Sequence, residues 1–360
     1  MPRWSVLMVV LATWSCGSGS ARDATDTARQ AARSPSGGAD LTGAGATFPY
    51  PLYGRWISEY AAKARVNINY RDIGSGGGIK QLSEETVDFG ATDAPMSDAE
   101  MAAAKGGPVL HFPMVAGVVA IAYNLPGVTQ PLRLTGDLLV GIFMGRFTKW
   151  NDPRIAAVNP GVKLPASDIL VVHRSEASGT TYVLTDYLSS ISPTWTAGPG
   201  KGKQVQWPVG LGAMGNEGVA GQIKQTPGTI GYIELAYAKQ GRLNVAELEN
   251  ASGKFVAPTA AAASAAAEAS MASLPANTDF RVSIVNAGGP DTYPIVSFTW
   301  ILVYQHARDA AKTKKLSDFI RWALTDGQKD AAALDYAPLP ASMVTRLVPR
   351  LDSLTAGANE

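Results

Sequence analysis

The sequence predicts an α/β protein with mostly parallel sheets covered by helices, divided over two domains. Three observations predict this. Short runs rich in Val, Ile and aromatics alternate with amphipathic stretches along the chain. A length of 360 residues is enough for two separate hydrophobic cores. A composition that is 46% hydrophobic and 17% charged, with 37 glycines, belongs to a folded α/β chain and excludes an acidic or basic disordered one.

The elements follow from the N-terminus. Met1 to Ser5 carries one positive charge at Arg3, Val6 to Trp14 is apolar, and Ser15-Cys16-Gly17 follows, which reads as an export signal over 1–16. The apolar stretch is too short for a membrane-spanning helix. Cys16 is the chain's single cysteine, so no intramolecular disulfide can form. Its place before the Gly/Ser/Ala/Thr-rich stretch 17–40 suits a lipid-anchored cysteine followed by a flexible linker; simple signal cleavage is the alternative. The expected location is therefore the periplasm or the outer cell surface, with the membrane reached through a lipid anchor alone.

Beyond residue 40, strands are expected at Ile68 to Ile73, Asp88 to Ala91, Val115 to Tyr123, Ile169 to Val172, Thr229 to Tyr232 and Ile295 to Tyr304, each bounded by turn residues. Helical periodicity marks Tyr53 to Ala64, Thr180 to Ser190, Gly218 to Gln225 and Ala310 to Thr325, and Thr259 to Ser273 is an Ala-rich helix candidate. The strongest apolar runs, Val115 to Tyr123 and Ile295 to Tyr304, are too short to cross a bilayer and read as buried strands.

Three Gly/Ser/Thr clusters stand where a loop turns into a helix: Gly43 to Pro49, Ile73 to Gly78, and Arg174 to Thr180. Each offers backbone N–H groups and hydroxyls at the positive end of a helix dipole, the arrangement that binds anions. One such loop alone is an ordinary turn or cap. Three in a chain of net charge +1, which falls to zero if cleavage removes Arg3, point to a locally built anion site. The same neutrality excludes a whole-molecule field for nucleic acid. Arg174 adds a planar fork suited to a tetrahedral oxyanion, and Glu176 stands where it can orient that fork. Asp93, in Phe89-Gly-Ala-Thr-Asp-Ala-Pro95, lies just past an expected strand end, where open α/β sheets place ligand contacts. A carboxylate in an anion site makes sense once protons are counted. Hydrogen phosphate carries a donor that sulfate lacks, and a site built to pair a ligand hydroxyl rejects the analogue without it by roughly 10^4 to 10^5.

At these residues the sequence resembles the PstS family, the phosphate-binding proteins of the Pst phosphate ABC importers. The resemblance runs through Leu41-Thr-Gly-Ala-Gly-Ala-Thr-Phe-Pro49, Val87 to Pro95, Lys149-Trp-Asn-Asp-Pro153, Ser178-Gly-Thr180, Trp207 to Gly212, Pro227 to Glu234, Tyr237-Ala-Lys-Gln240 and Leu334 to Pro340, in the family's order. It implies a type II, Venus-flytrap fold of two lobes, 41–122 with 295–360 and 123–294, joined by two hinge crossings near Ala122 to Pro126 and Pro290 to Ile295. It also implies a phosphate site: backbone and hydroxyl donors from Thr47 and Phe48, Ser75, Asp93 accepting the ligand proton, Arg174 as clamp, and donors from Ser178, Gly179 and Thr180. The implied partners are inorganic phosphate and the importer's permease and ATP-binding subunits. Two departures from the family's usual pattern stand out: it has a second Ser where Gly76 stands and Asp-Gly where Glu176-Ala177 stands.

Other chemistry finds little support. His111, His173 and His306 lie far apart and give no zinc spacing with the one cysteine. No P-loop and no Gly-x-Ser-x-Gly elbow occur, and neither Ser75 nor Ser178 has a convincing base near it in sequence. Trp150, Trp207 and Trp300 read as core and loop anchors. No metal, cofactor or enzymatic activity is expected; a receptor for another oxyanion, or a phosphatase on the same scaffold, are the alternatives.

Overall fold

Among the described residues nine strands make one sheet, and their order explains the position of the site. The computed structural model describes residues 40–272 and 274–356, all within the unit Ala39–Glu360. The export signal, Cys16 and all of the expected linker except Asp40 lie outside the described residues. The strands are β1 (Leu41–Gly45), β2 (Ile68–Arg71), β3 (Phe89–Thr92), β4 (Val109–Tyr123), β5 (Leu170–Arg174), β6 (Leu211–Ala213), β7 (Thr229–Glu234), β8 (Asn244–Val245) and β9 (Val296–Tyr304). The sheet runs β2-β1-β3-β9-β4-β7-β5-β6, with β8 also paired to β4. The outer trios β2-β1-β3 and β7-β5-β6 are parallel, while the central β9 and β4 run antiparallel to their neighbours.

The 15 residues of β4 belong to both halves. From Val109 to Val118 they pair with β9, and from Val119 to Tyr123 with β7. The sequence pattern suggests a strand only from Val115, because Pro113 interrupts the run. The strand nevertheless passes through it: Pro113 faces Trp300 and Val115 faces Thr299, so Met114 is the extra residue of a bulge, the place where a sheet tolerates proline.

β1 is absent from the expectations because four of the seven residues Gly43 to Pro49 are Gly or Ala and the stretch reads as a loop. Its glycine is a packing requirement: a Cβ on Gly43 would lie 2.1 Å from the Phe89 ring on the neighbouring β3. The helices bounding the site start where the clusters end. Helix α1 (Tyr50–Ala64) follows Pro49 and buries Leu52, Tyr53, Trp56 and Tyr60 on one face. Helix α2 (Ser75–Ser83) begins after Gly74, whose φ of 88° suits glycine. Then come α3 (Asp98–Ala102), α4 (Gly179–Ile191), α5 (Gly215–Gln225), α6 (Leu235–Gly241), α7 (Ala260–Met271) and α8 (Ala310–Leu324). The Ala-rich α7 is capped by Thr259 and buries Ala262, Ala263, Ala266 and Ala267. Trp56, Trp150, Trp195 and Trp300 are all fully buried. No helix among the described residues is long and apolar enough to cross a membrane.

Candidate functional site

The carboxyl ends of β1, β3 and β5 and the first turns of α2 and α4 converge on one buried polar cluster. Thr47, Ser75, Asp93, Arg174, Ser178 and Thr180 are each at most 5% exposed, in a molecule that keeps nearly all its other charged groups at the surface. Polar groups so deeply buried need partners; Ser75 pairs with Asp93 and Arg174 with Thr180, and Thr299, Tyr232, Glu176, Thr181 and Asn216 supply the rest.

Asp93 sits just past β3. Its Oδ1 accepts from Thr299 Oγ1 at 2.9 Å, its N–H donates to Ser75 Oγ at 3.2 Å, and Ser75 Oγ lies 3.5 Å from Oδ2. Burial pushes its carboxyl up to about 7, against the opposing pull of the Thr299 hydrogen bond, the Arg174 charge and Ser75. Arg174 closes β5, where its N–H donates to Tyr232 Oη at 3.0 Å. Its Nη1 donates to Thr180 Oγ1 at 3.0 Å; its Nε (2.9 Å) and Nη2 both donate to Glu176 Oε1. That carboxylate oxygen also takes the N–H of Gly215 at 3.1 Å, which pins the fork to the start of α5. Ser178 caps α4, accepting from Thr181 N–H at 3.2 Å, while its own N–H donates to Lys203 O at 2.8 Å. Helix geometry leaves the N–H groups of Gly179 and Thr180 without intrahelical acceptors. Thr47 Oγ1 accepts from Asn216, and the carbonyls of Thr47 and Phe48 take the hydroxyls of Tyr237 (2.6 Å) and Tyr336 (2.7 Å). The Phe48 ring is fully buried and meets Tyr336 edge-on.

All eight expected ligand residues and Glu176 therefore meet in one place. The two sides also touch directly. Gly76 N–H donates to Ala177 O at 2.9 Å, and a Cβ on Gly179 would lie 2.4 Å from Ser75 Oγ and 2.6 Å from Asp93 Oδ2. Gly179 is glycine because those two groups occupy its side-chain space. A cavity of about 790 Å³ opens beside the cluster, bounded by Pro95, Tyr182, Lys203 and Ser297; Ser297 Oγ is 3.4 Å from Asp93 O. Among its lining residues Lys203 pairs with Glu100 of α3 at 2.7 Å. Among the described residues no group of acidic, His or Cys side chains could hold a metal. His111 is buried elsewhere, accepting from Met96 N–H, and His173 stacks on Trp207.

Asn216 and Thr299 escape the sequence reading. Thr299 is a polar residue inside the apolar run Val296–Tyr304, a visible signal. Asn216 lies in Met214-Gly-Asn-Glu-Gly218, a fourth glycine-flanked helix start like the three clusters.

Comparison with known proteins places this arrangement. A family model described as a PBP superfamily domain matches residues 24–327. The phosphate-binding protein PstS of Xylella fastidiosa (strain 9a5c) is 44% identical over 308 residues, covering 85% of this chain and 83% of that protein. The chain belongs to the PstS family. The phosphate-binding protein PstS of the archaeon Methanocaldococcus jannaschii is 40% identical over 316 residues, covering 82% and 81%. In structure, the periplasmic phosphate-binding protein PfluDING, solved with phosphate, superposes with a TM-score of 0.67 at 23% identity over 86% of this chain and 92% of that one. The fold is the two-lobed one of the periplasmic binding proteins.

Two of the positions that depart from the expected pattern face each other: a Cβ on Gly76 would lie 2.4 Å from the Ala177 Cβ, so one methyl-sized space between the two sides is filled by Ala177 alone. Glu176 reaches both Arg174 and Gly215.

Proposed function

We propose that this protein is an exported receptor that captures inorganic phosphate between two lobes, 41–122 with 295–360 and 123–294, and delivers it unchanged to the permease and ATP-binding subunits of an ABC importer. The observation that carries this reading is a single buried carboxylate among converging donors. Hydroxyls of Thr47, Ser75, Ser178 and Thr180, N–H groups of Phe48, Gly179 and Thr180, and the Arg174 guanidinium would donate to the oxygens of a tetrahedral anion. Asp93 would accept the proton that hydrogen phosphate carries and sulfate does not. Charged hydrogen bonds of about 1.5 to 3 kcal/mol each are sufficient to hold the anion without a metal. Glu176 holds the Arg174 fork in place. The names of the PstS relatives support phosphate as the ligand, and a lobe crossing along β4 is supported by its change of partner between Val118 and Val119, a few residues before the proposed boundary.

Calorimetry with phosphate and sulfate on the purified protein tests the reading. Phosphate should bind far more tightly; sulfate binding equally well would overturn the role of Asp93. Steady hydrolysis of a chromogenic phosphomonoester, abolished by Ser75→Ala or Ser178→Ala, would replace transport by catalysis. Export is part of the proposal, with Cys16 carrying a lipid; the mass of the native N-terminal peptide decides the anchor.

A further inference from the structure

The hydroxyls of Thr47 and Thr180 lie on opposite sides of the site, and one side chain reaches both. Asn216, fully buried in the first turn of α5, directs its Nδ2 at Thr47 Oγ1 (2.8 Å) and at Thr180 Oγ1 (3.4 Å). Its backbone N–H donates to Thr47 Oγ1 as well, at 3.3 Å. The amide cannot sit the other way round. Its Oδ1 accepts the backbone N–H of Glu234 at 2.9 Å, a group that can only donate, so the nitrogen must face the threonines.

A threonine hydroxyl has one proton and two lone pairs. Thr47 Oγ1 takes two donors, both from Asn216. Thr180 Oγ1 also takes two, from Arg174 Nη1 and Asn216 Nδ2. With both lone pairs engaged, each oxygen can use its proton only outward, toward an acceptor in the site. Without Asn216 each hydroxyl could rotate and present a lone pair to an anion, turning an attraction into a repulsion.

We infer that Asn216 is a positioning residue that fixes Thr47 and Thr180 as obligate hydrogen-bond donors toward the bound anion, setting the donor count of the site without needing to touch the ligand. This rests on the proposed phosphate site. It also makes the geometry selective for ligands whose oxygens at these two positions bear no proton, which leaves the single ligand proton to Asp93.

The test is a double-mutant cycle read by calorimetry with inorganic phosphate on the full folded protein. Thr47→Val and Thr180→Val together remove the hydroxyls through which Asn216 is held to act. Asn216→Ala should weaken phosphate about tenfold in the otherwise unchanged protein and less than twofold in the Thr47→Val/Thr180→Val background. A merely structural role for Asn216 predicts the same loss in both backgrounds, and that result overturns the inference, as does a loss below twofold in the unchanged protein. Should Asn216→Ala fail to fold, the isosteric Asn216→Asp serves instead. Its carboxylate can only accept from the threonines, so it should weaken phosphate more than a hundredfold; unchanged affinity would again overturn the inference. If the unsubstituted protein does not bind phosphate at all, it is the proposed function that fails, and the control measurement in each cycle separates the two.

Discussion

Sulfate should enter the cleft as the pH falls, because the Asp93 carboxyl proposed to exclude it is then protonated. With the Asp93 carboxyl pushed up to about 7 by burial, its protonated fraction is about 0.9 at pH 6, about 0.1 at pH 8 and about 0.01 at pH 9. Protonated Asp93 can donate to a sulfate oxygen, whereas ionised Asp93 opposes its lone pairs and its charge. The sulfate Kd should therefore rise about tenfold from pH 6 to pH 8 and about tenfold again to pH 9, close to 1.4 kcal/mol per tenfold step. Phosphate brings its own proton and finds a partner in either form of Asp93, so the phosphate-to-sulfate preference should widen along the same range. Calorimetry in chloride buffers at these three pH values, with Asp93→Asn in parallel, is the assay. The amide can donate at any pH, so Asp93→Asn should bind sulfate more tightly than the unsubstituted protein at pH 9, with a flat profile. A sulfate affinity that does not change with pH in the unsubstituted protein, or the same slope in Asp93→Asn, would refute the reasoning.

The same carboxyl bears on stability. The folded protein holds a proton on Asp93 between the unfolded value of 3.8 and about 7. Ligand-free stability should therefore fall as pH rises through that window, by up to about 4 kcal/mol on an order-of-magnitude conversion, and level off above it. Urea unfolding at pH 5 and pH 8 should show Asp93→Asn gaining most at pH 8. Gly179→Ala places a methyl on Ser75 and Asp93, an overpacking of about 1 to 3 kcal/mol; phosphate affinity should fall about tenfold to a hundredfold by titration. The Lys203 and Glu100 pair is only partly buried, and such pairs contribute about 0.2 to 1 kcal/mol. Lys203→Met should accelerate phosphate release up to about fivefold in stopped flow, with the difference shrinking at high salt.

Much of the site was legible because its chemistry is local. A glycine-flanked loop opening a helix announces its free N–H groups in a few consecutive residues, and the three clusters with Arg174 follow from that; Asp93 follows from its place just past an expected strand end. What remained hidden comes from afar. Thr299 and Asn216 reach Asp93 and Thr47 across separations of 206 and 169 residues, and only the sheet order brings β9 beside β3 and α5 beside the β1 loop. Strand β1 was obscured for another reason. Its glycines answer to the Phe89 ring and the close approach of β3, so local propensity speaks for a loop while tertiary packing makes a strand. The extension of β4 back to Val109 was masked by Pro113, which a bulge accommodates.

The shared methyl-sized space at Gly76 and Ala177 has a consequence for anyone recombining members of this family. A chimera that keeps this chain's first lobe and takes its second from a relative with Gly at 177 would leave a small gap between them, which is tolerable. The reciprocal chimera would set a serine against Ala177, whose Cβ lies 2.4 Å from where the new Cβ would stand, and would hold the jaws apart. Any exchange that brings a side chain to position 76 must therefore bring a glycine to position 177 with it.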